Sequence, residues 1–422
     1  MRRRHFLMSG VAAALGKKAV AASDQVNVAI IGVRGRGRSL ANEFAALPEV
    51  NVAYLVDVDE NVLRQVADGF EKRHGKRPRL VGDMRRVFED KGVDAVAIAT
   101  PDHWHVPAAL LACQAGKDVY VEKPLGHNVR EGRMLVEAAR KYGRVVQHGT
   151  QARSSEVVQQ AIEMAHTGKI GRVLMAKAWN VQLRRHLGHK PDSQPPPGVD
   201  YDTWVGPAEW LPFNENRFHY NWHWHWNFGT GDAGNDGAHQ IDQARWALGV
   251  DYPREVYGMG RKLFFDDDQQ TPDTMVVAFN YPDKVLMWEM RIWNPYKMEG
   301  VDNGVAIYGT DGMIQIGRWE DGSGFKVFDR SGKVVESGRR DGGTAESHVA
   351  NFVRCVKTRQ KPNADVETGH LSALHCHLAN IAARTGRSFT FDASSESIPG
   401  DPEANALLGR KYRNHWGTPR VA

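Results

Sequence analysis

The stretch VNVAIIGVRGRGRSLANEF, residues 26–44, constrains this chain more than any other. An apolar run of strand length ends in three closely spaced glycines, and the pattern then turns helical. A strand that enters a helix through glycines bares backbone N–H groups at the helix N-terminus, a geometry that receives a pyrophosphate. Gly32 follows the strand directly and Gly37 opens the expected helix, but Arg34 stands where the usual fingerprint has its middle glycine, with Gly35 and Arg36 after it. Two companions strengthen the reading. The next predicted strand ends in Asp57, where a carboxylate takes the hydroxyl pair of a ribose, and Thr100-Pro101 closes a third strand at the same sheet edge. A carboxylate repels a 2′-phosphate, so NAD is the expected cofactor, with NADP second because of Arg34, Arg36 and Arg38. The competing reading is a tight strand-to-helix turn in some other α/β protein.

The periodicity beyond this loop predicts an α/β chain of two domains. Strands are expected at residues 26–31, 50–56, 95–99, 118–121 and 145–148, alternating with helices near 39–47, 60–73, 106–114 and 130–141. That alternation is the mark of a doubly wound parallel sheet, a Rossmann domain over residues 26–150. From residue 151 to 422 the texture becomes α+β. Long β-prone stretches at 172–179, 254–263, 274–281, 285–293 and 305–316 alternate polar and apolar residues as one-sided antiparallel strands do, and helices follow at 347–358 and 368–384. Residues 183–231 are rich in Pro, His and Trp with little periodicity, and their aromatics argue against disorder.

The net charge of +5 does not imply an anionic partner. Arg2, Arg3, Arg4, Lys17 and Lys18 account for all of it, so the rest of the chain is neutral and the electrostatic argument for nucleic acid falls away. Those residues belong to a predicted targeting segment, 1–21: a basic start, an apolar stretch too short to span a bilayer, and Ala19-Val20-Ala21 as a small-residue cleavage site. Arg3-Arg4-His5-Phe6-Leu7 resembles a twin-arginine signal, which implies export to the periplasm as a folded protein and no membrane anchor after cleavage. The alternative is a basic tail on a cytoplasmic enzyme. Three cysteines without CxxC spacing make a disulfide framework or zinc site improbable.

Further along, Glu122-Lys123-Pro124 ends the fifth strand, preceded by AIATPDHWHVPAALLACQAGKDVYV and followed much later by GNDGAHQID. With these motifs the chain resembles the Gfo/Idh/MocA family of NAD(P)-dependent oxidoreductases acting on sugars and cyclitols, over nearly its whole length after residue 21. The resemblance implies a Rossmann domain followed by an open, mostly antiparallel sheet, with substrate between that sheet and the nicotinamide, and a homo-oligomer, dimer or tetramer. It assigns Thr100, Pro101, His103, His105, Glu122, Lys123 and Gln151 to the cofactor's surroundings and makes Lys123 the lysine of a proton relay.

His239 is the second candidate for acid/base work, because imidazole titrates near neutrality. The family pattern has an Asp four residues before this histidine; here Asn235 occupies that place and Asp236 follows it, so a two-residue Asp/His relay gives way to Lys123 plus His239. Asn235 can only hydrogen-bond a substrate hydroxyl. In FHYNWHWHWNFGTGD, Trp222, His223 and His225 suit a sugar platform, aromatic faces against C–H groups and imidazoles against hydroxyls, better than an i, i+2 metal pair on a strand. Arg153, Arg184, Arg185 and Tyr296 are further candidates for the pocket, with a solvated surface as the rival reading for each. His370, His375 and His377 are expected to be structural. The expected activity is hydride transfer to or from a carbohydrate hydroxyl with no metal and with the cofactor retained through each cycle. The rivals are an NAD-dependent glycosidase, which oxidises, eliminates and re-reduces, and a non-catalytic sugar or nucleotide sensor.

Overall fold

Strands with no polar side can exist only where both faces are covered, and that is how the first sheet of the computed structural model is built. The structure describes residues 25–320, 322–339 and 346–420; the expected targeting segment lies outside them. Strands β1 (Val26–Ile31), β2 (Val50–Val56), β3 (Arg79–Val81), β4 (Ala95–Ile98), β5 (Asp118–Val121) and β6 (Val146–His148) pair in parallel in the order β3-β2-β1-β4-β5-β6. Alternate residues of β1 serve opposite cores. Val28 and Ile30 pack toward helices α1 (Gly35–Ala45) and α2 (Glu60–His74), while Ala29 and Ile31 face α3 (Arg85–Glu89), α4 (Asp102–Gln114) and α5 (Val129–Lys141). The predicted strands appear within a residue of their expected ends. Only β3, short and half-exposed at the sheet edge, lacked the apolar signal to be foreseen.

The glycine loop differs from expectation in one respect. Gly35, not Gly37, opens α1. Gly37 serves packing instead: a Cβ there would stand 1.7 Å from the Gly32 carbonyl oxygen.

After α6 (Glu156–His166) comes β7 (Val173–Asn180), and then residues 183–230, a strap holding the short α7 (Tyr201–Val205), followed by α8 (Gly231–Asn235) and α9 (Gly237–Leu248). The second sheet adds β8 (Glu255–Arg261), β9 (Thr274–Asn280), β10 (Val285–Arg291), β11 (Asn303–Gly309), β12 (Gly312–Trp319), β13 (Gly322–Asp329), β14 (Val334–Arg339) and β15 (Phe389–Thr390). Its nine strands run β14-β13-β12-β11-β7-β10-β9-β8-β15, antiparallel except where β7 meets β10. The stretch 305–316, expected as one strand, turns at Thr310-Asp311 and makes parts of two. Helices α6 and α9 cover one face of this sheet, with Trp288, Leu286, Ile307 and Ile314 beneath them.

The chain finally returns to the first domain. Helix α10 (His348–Thr358) buries Val349, Phe352 and Val353 against the β1 and β2 core, and α11 (Val366–Thr385) packs along α5 before α12 (Pro402–Ala406). The strap carries its own small core of Tyr201, Trp204, Phe213, Phe218 and Phe228. It is sewn to the Rossmann side by backbone bonds from Glu60 N–H to Gly198 and from Asp200 N–H to Val58. No helix among the described residues is long and apolar enough to cross a membrane.

Candidate functional site

The C-terminal edge of the parallel sheet opens into one large cleft of about 1880 Å³ that runs to the end of the second sheet. At its Rossmann end Gly32, Arg34, Gly35 and Arg36 line the wall. Gly35 has a positive φ of 33°, and a Cβ there would meet no atom within 4 Å, so its backbone faces open space. Helix α1 has no side-chain N-cap and no acidic residue in its first turn, which leaves its positive end for an anion. Asp57 accepts the N–H groups of Val33 at 2.9 Å and Asp59 at 3.0 Å, which aim the carboxylate while leaving lone pairs for a ribose diol. Burial pushes this carboxyl up, and the two donated N–H groups oppose it. These features fit a dinucleotide: the N-terminus of α1 would hold the pyrophosphate and Asp57 the adenosine ribose.

Arg36 does something other than bind phosphate. Its guanidinium donates to Glu122 at 2.7 Å and to Glu43 at 2.5 Å, and these partners hold it above its ordinary value despite partial burial. Glu122 is buried, accepts also from Gln151 at 3.1 Å, and is kept below the usual carboxylate range by Arg36 and Lys123 in spite of desolvation. The Glu122 side chain thereby ties the glycine loop to the strand end that carries the lysine. Both ring nitrogens of His105 face carbonyls, Pro124 at 2.8 Å and Thr100 at 2.9 Å, so His105 braces the ends of β4 and β5. The Lys123–Pro124 peptide is cis. Thr100, Pro101, His105, Glu122, Lys123 and Gln151 all line the cleft. His103 does not: it is 1% exposed, with its ring against the Trp204 and Phe228 carbonyls, and it fastens the strap.

Lys123 and His239 both line the cleft, close enough for the Lys123 charge to act on the His239 ring. The Lys123 ammonium donates to Asn235 Oδ1 at 2.8 Å. The His239 ring, on the first turn of α9, makes no hydrogen bond to any described residue. Desolvation first, and then the Lys123 charge, bring His239 down to about 4, so at neutral pH it is a neutral base. Gly237 permits this arrangement, because a Cβ there would stand 2.9 Å from the Trp288 ring on which α9 begins.

The remaining substrate candidates divide. Trp222 and His223 line the cleft, and His223 is turned by its Nδ1 contact with the Tyr220 carbonyl at 2.5 Å. The segment carrying them is a 3-10 turn, His219–Trp224, and not the strand that the rival metal-pair reading required. As a result His225 points away and is 2% exposed outside the cleft. Arg153 is buried in a bidentate pair with Asp242 at 2.8–2.9 Å and supports α9 from behind. Tyr296 is 75% exposed and lies outside the lining. Asp236 is paired with Arg184 and takes no place on the cleft surface. Arg184 itself is held by Asp232 and Asp236 behind the cleft wall. The structure also brings to the cleft His219 and Tyr220 from the same aromatic motif, Gln240 from the motif of His239, and Gln243, Asn303 and Arg318 from outside any motif. Gln243 stands four residues after His239, a helical spacing and a signal that was available; Asn303 and Arg318 reach the cleft only through sheet pairing. Among the described residues no group of three or more His, Cys, Asp or Glu side chains is placed to hold a metal ion.

A parallel sheet in this strand order, a bared helix N-terminus and a carboxylate at the end of the second strand define a Rossmann dinucleotide-binding domain. The sequence matches the oxidoreductase family GFO_IDH_MocA, with its NAD-binding Rossmann fold, over residues 26–150, and that family's two C-terminal domains over residues 207–315 and 324–418. The chain belongs to the Gfo/Idh/MocA oxidoreductase family. Curated relatives include glycosyl hydrolase family 109 proteins of Saccharopolyspora erythraea, 33% identical over 40% of this chain and 38% of the relative, and of Stenotrophomonas maltophilia, 28% identical over 50% and 48%. The matches thus span less than half the length of these relatives. Among solved structures, GenD2 from gentamicin A biosynthesis in complex with NAD aligns at TM-score 0.64 and 21% identity, covering 92% of this chain and 100% of that one. The aldose-aldose oxidoreductase from Caulobacter crescentus complexed with glycerol aligns at 0.66 and 17%, covering 87% and 100%. At these identities the two structures testify to the fold.

Proposed function

We propose that this protein transfers a hydride to or from a ring or chain hydroxyl of a carbohydrate and keeps its NAD bound while doing so. The observation that carries the reading is the convergence of the Lys123 ammonium, the Asn235 amide and the unpartnered, neutral His239 ring on one cleft beside the glycine loop. Bound NAD supplies the hydride acceptor or donor. Lys123 places a positive charge and a donor where a substrate oxygen becomes an alkoxide, and His239 takes the hydroxyl proton. Trp222 offers a flat apolar face to the sugar, and His223 and Tyr220 offer polar atoms beside it. The intact Lys123 and His239 speak against a sensor. The proposal includes export, which rests on residues 1–21, and retention follows from it, since an exported enzyme has no cytoplasmic NAD pool to draw on.

A second reading has its own support. Relatives named glycosyl hydrolase family 109, together with a further imidazole, His223, in the cleft, favour a glycosidase in which the same hydride leaves and returns. One experiment separates the two. The purified protein is denatured and its released nucleotide quantified; the loaded protein is then given free sugars and glycosides without added NAD. Near-stoichiometric nucleotide with oxidised or reduced sugar supports the first reading, free sugar from a glycoside supports the second, and an empty site with activity strictly dependent on added NAD overturns retention.

A further inference from the structure

Beneath the Lys123 contact lies a buried network that the hydride-transfer reading does not use. Asn235 Nδ2 donates to Asp232 Oδ1 at 3.0 Å, which fixes the amide so that its oxygen faces Lys123. Asp232 is 1% exposed and accepts also from the Arg184 guanidinium at 3.1 Å and from Asn180 Nδ2 at 2.5 Å. All three hydrogen-bond partners donate to this carboxylate, and Asp236 brings a like charge near it. Arg184 reaches on to Asp236, and Asn180 and Gln182 donate to Asp236 at 3.4 and 3.1 Å. The network therefore holds two cations, Lys123 and Arg184, and two carboxylates, Asp232 and Asp236.

We propose that the carboxylate serving Lys123 sits at Asp232, three residues before the position where the family pattern has it, and that Asn235 transmits its influence through an oriented amide. Asp232 is a positioning residue: it touches neither cleft nor substrate, and it moves no proton. Burial works to raise its carboxyl, and Arg184 works against that. A carboxylate at 235 as well as 232 would bring two like charges to about 3 Å, where they share a proton instead of both ionising. Asn235 is thus the residue that the charge balance around Asp232 requires, and the departure from the family pattern is a relocation of charge.

This inference rests on Lys123 being the working lysine, and four NAD-loaded proteins test it: wild type, Asn235→Asp, Asp232→Asn and the double swap. The groups facing Lys123 and Asn235 are Glu122 from the end of β5, Asp102 from α4, Tyr220 and His223 from the strap, and Asp236 and His239 beside α9. All are unchanged across the four. Each single variant is expected to lose about tenfold or more in kcat, and Asn235→Asp to gain an extra ionisation in its pH profile, while the double swap recovers to within about threefold of wild type. Nitrogen NMR of the Lys123 ammonium reads the same coupling without turnover: its resonance is expected to move in Asp232→Asn and to return toward the wild-type position in the double swap. Losses that multiply in the double swap, or an Asn235→Asp protein with wild-type rate and pH profile, overturn the proposal. Should the double swap fail to fold, the Asn235→Asp profile decides alone. If Lys123→Ala keeps full turnover while the NMR coupling behaves as expected, the relocation stands and the hydride-transfer assignment falls.

Discussion

The two walls of the cleft are finished to different degrees. On the Rossmann wall several polar side chains are answered by the protein, although Thr100 Oγ1 is not. Glu122 takes Arg36 and Gln151, His105 takes two carbonyls, and Asp57 takes two backbone N–H groups. On the opposite wall His239 has no described partner, and Lys123 reaches over from the Rossmann side to a single amide oxygen there. The saturated wall is rigid and suited to a cofactor that stays in place. The unsaturated groups are those free to exchange hydrogen bonds with a changing substrate.

That contrast predicts unequal losses. Removing an unsaturated group should damage turnover most: Lys123→Ala and His239→Ala are each expected to cut kcat by about 10²–10⁴ with nucleotide content unchanged. Turnover by the loaded enzyme, with released nucleotide assayed in parallel, checks both. Near-normal rates in either variant would remove that residue from the chemistry.

Arg153→Ala should do the reverse. It leaves the Asp242 carboxylate buried without its partner and is expected to cost about 3–5 kcal/mol in urea unfolding, because a stranded buried charge is not rehydrated. A loss of sugar affinity at unchanged stability would return Arg153 to the substrate site.

His239 also predicts a pH response. Its folded value of about 4 lies below the ordinary 6.5, so the neutral form is favoured by folding. The stability this lends is present above 6.5 and lost as pH falls through about 4; the acid limb of kcat/KM should lie below 6.5 and vanish in His239→Asn. An acid limb at 6.5 or above would show that another group sets it.

Smaller effects belong to the periphery. Asp57→Ala should weaken NAD about tenfold more than NADP, since two diol hydrogen bonds and one repulsion disappear together. Equal losses for the two nucleotides would make Asp57 a loop brace through Val33 and Asp59 only. Smallest is Arg413→Ala. Arg413 binds the Asp202 side chain at 2.6 Å and the Gly206 carbonyl at 2.5 Å, clamping the chain's C-terminal segment over the strap. Global stability should move by under about 1 kcal/mol while nucleotide release quickens by about threefold, measured by chase with excess labelled NAD.

Much of this was legible in the amino-acid order. The parallel strands were readable because burial on both faces leaves an uninterrupted apolar run, and their ends stood out against glycines and helix-period residues. Lys123 and His239 were readable because each sits at an element end with motif residues around it. The strap's role was half visible: its aromatics excluded disorder, but nothing in HYNWHW distinguishes a 3-10 turn from a strand, and that choice sent His223 into the cleft and His225 away from it.

Pairing across long separations was decided only by the tertiary structure. Arg153 and Tyr296 are ordinary polar residues by sequence; one is consumed by Asp242, 89 positions on, and the other is left in solvent. Arg36 looks like a phosphate ligand until Glu122, 86 positions away, is placed beside it. Asn235 reads as a lost carboxylate until α8 turns Asp232 beneath it, and the end of β7 and the start of the strap bring Asn180 and Arg184 alongside. Local order sets which backbone a segment adopts, because periodicity and glycine act within a few residues. The state of a charged side chain depends on whichever opposite charge the fold delivers within about 4 Å, and no local pattern encodes that.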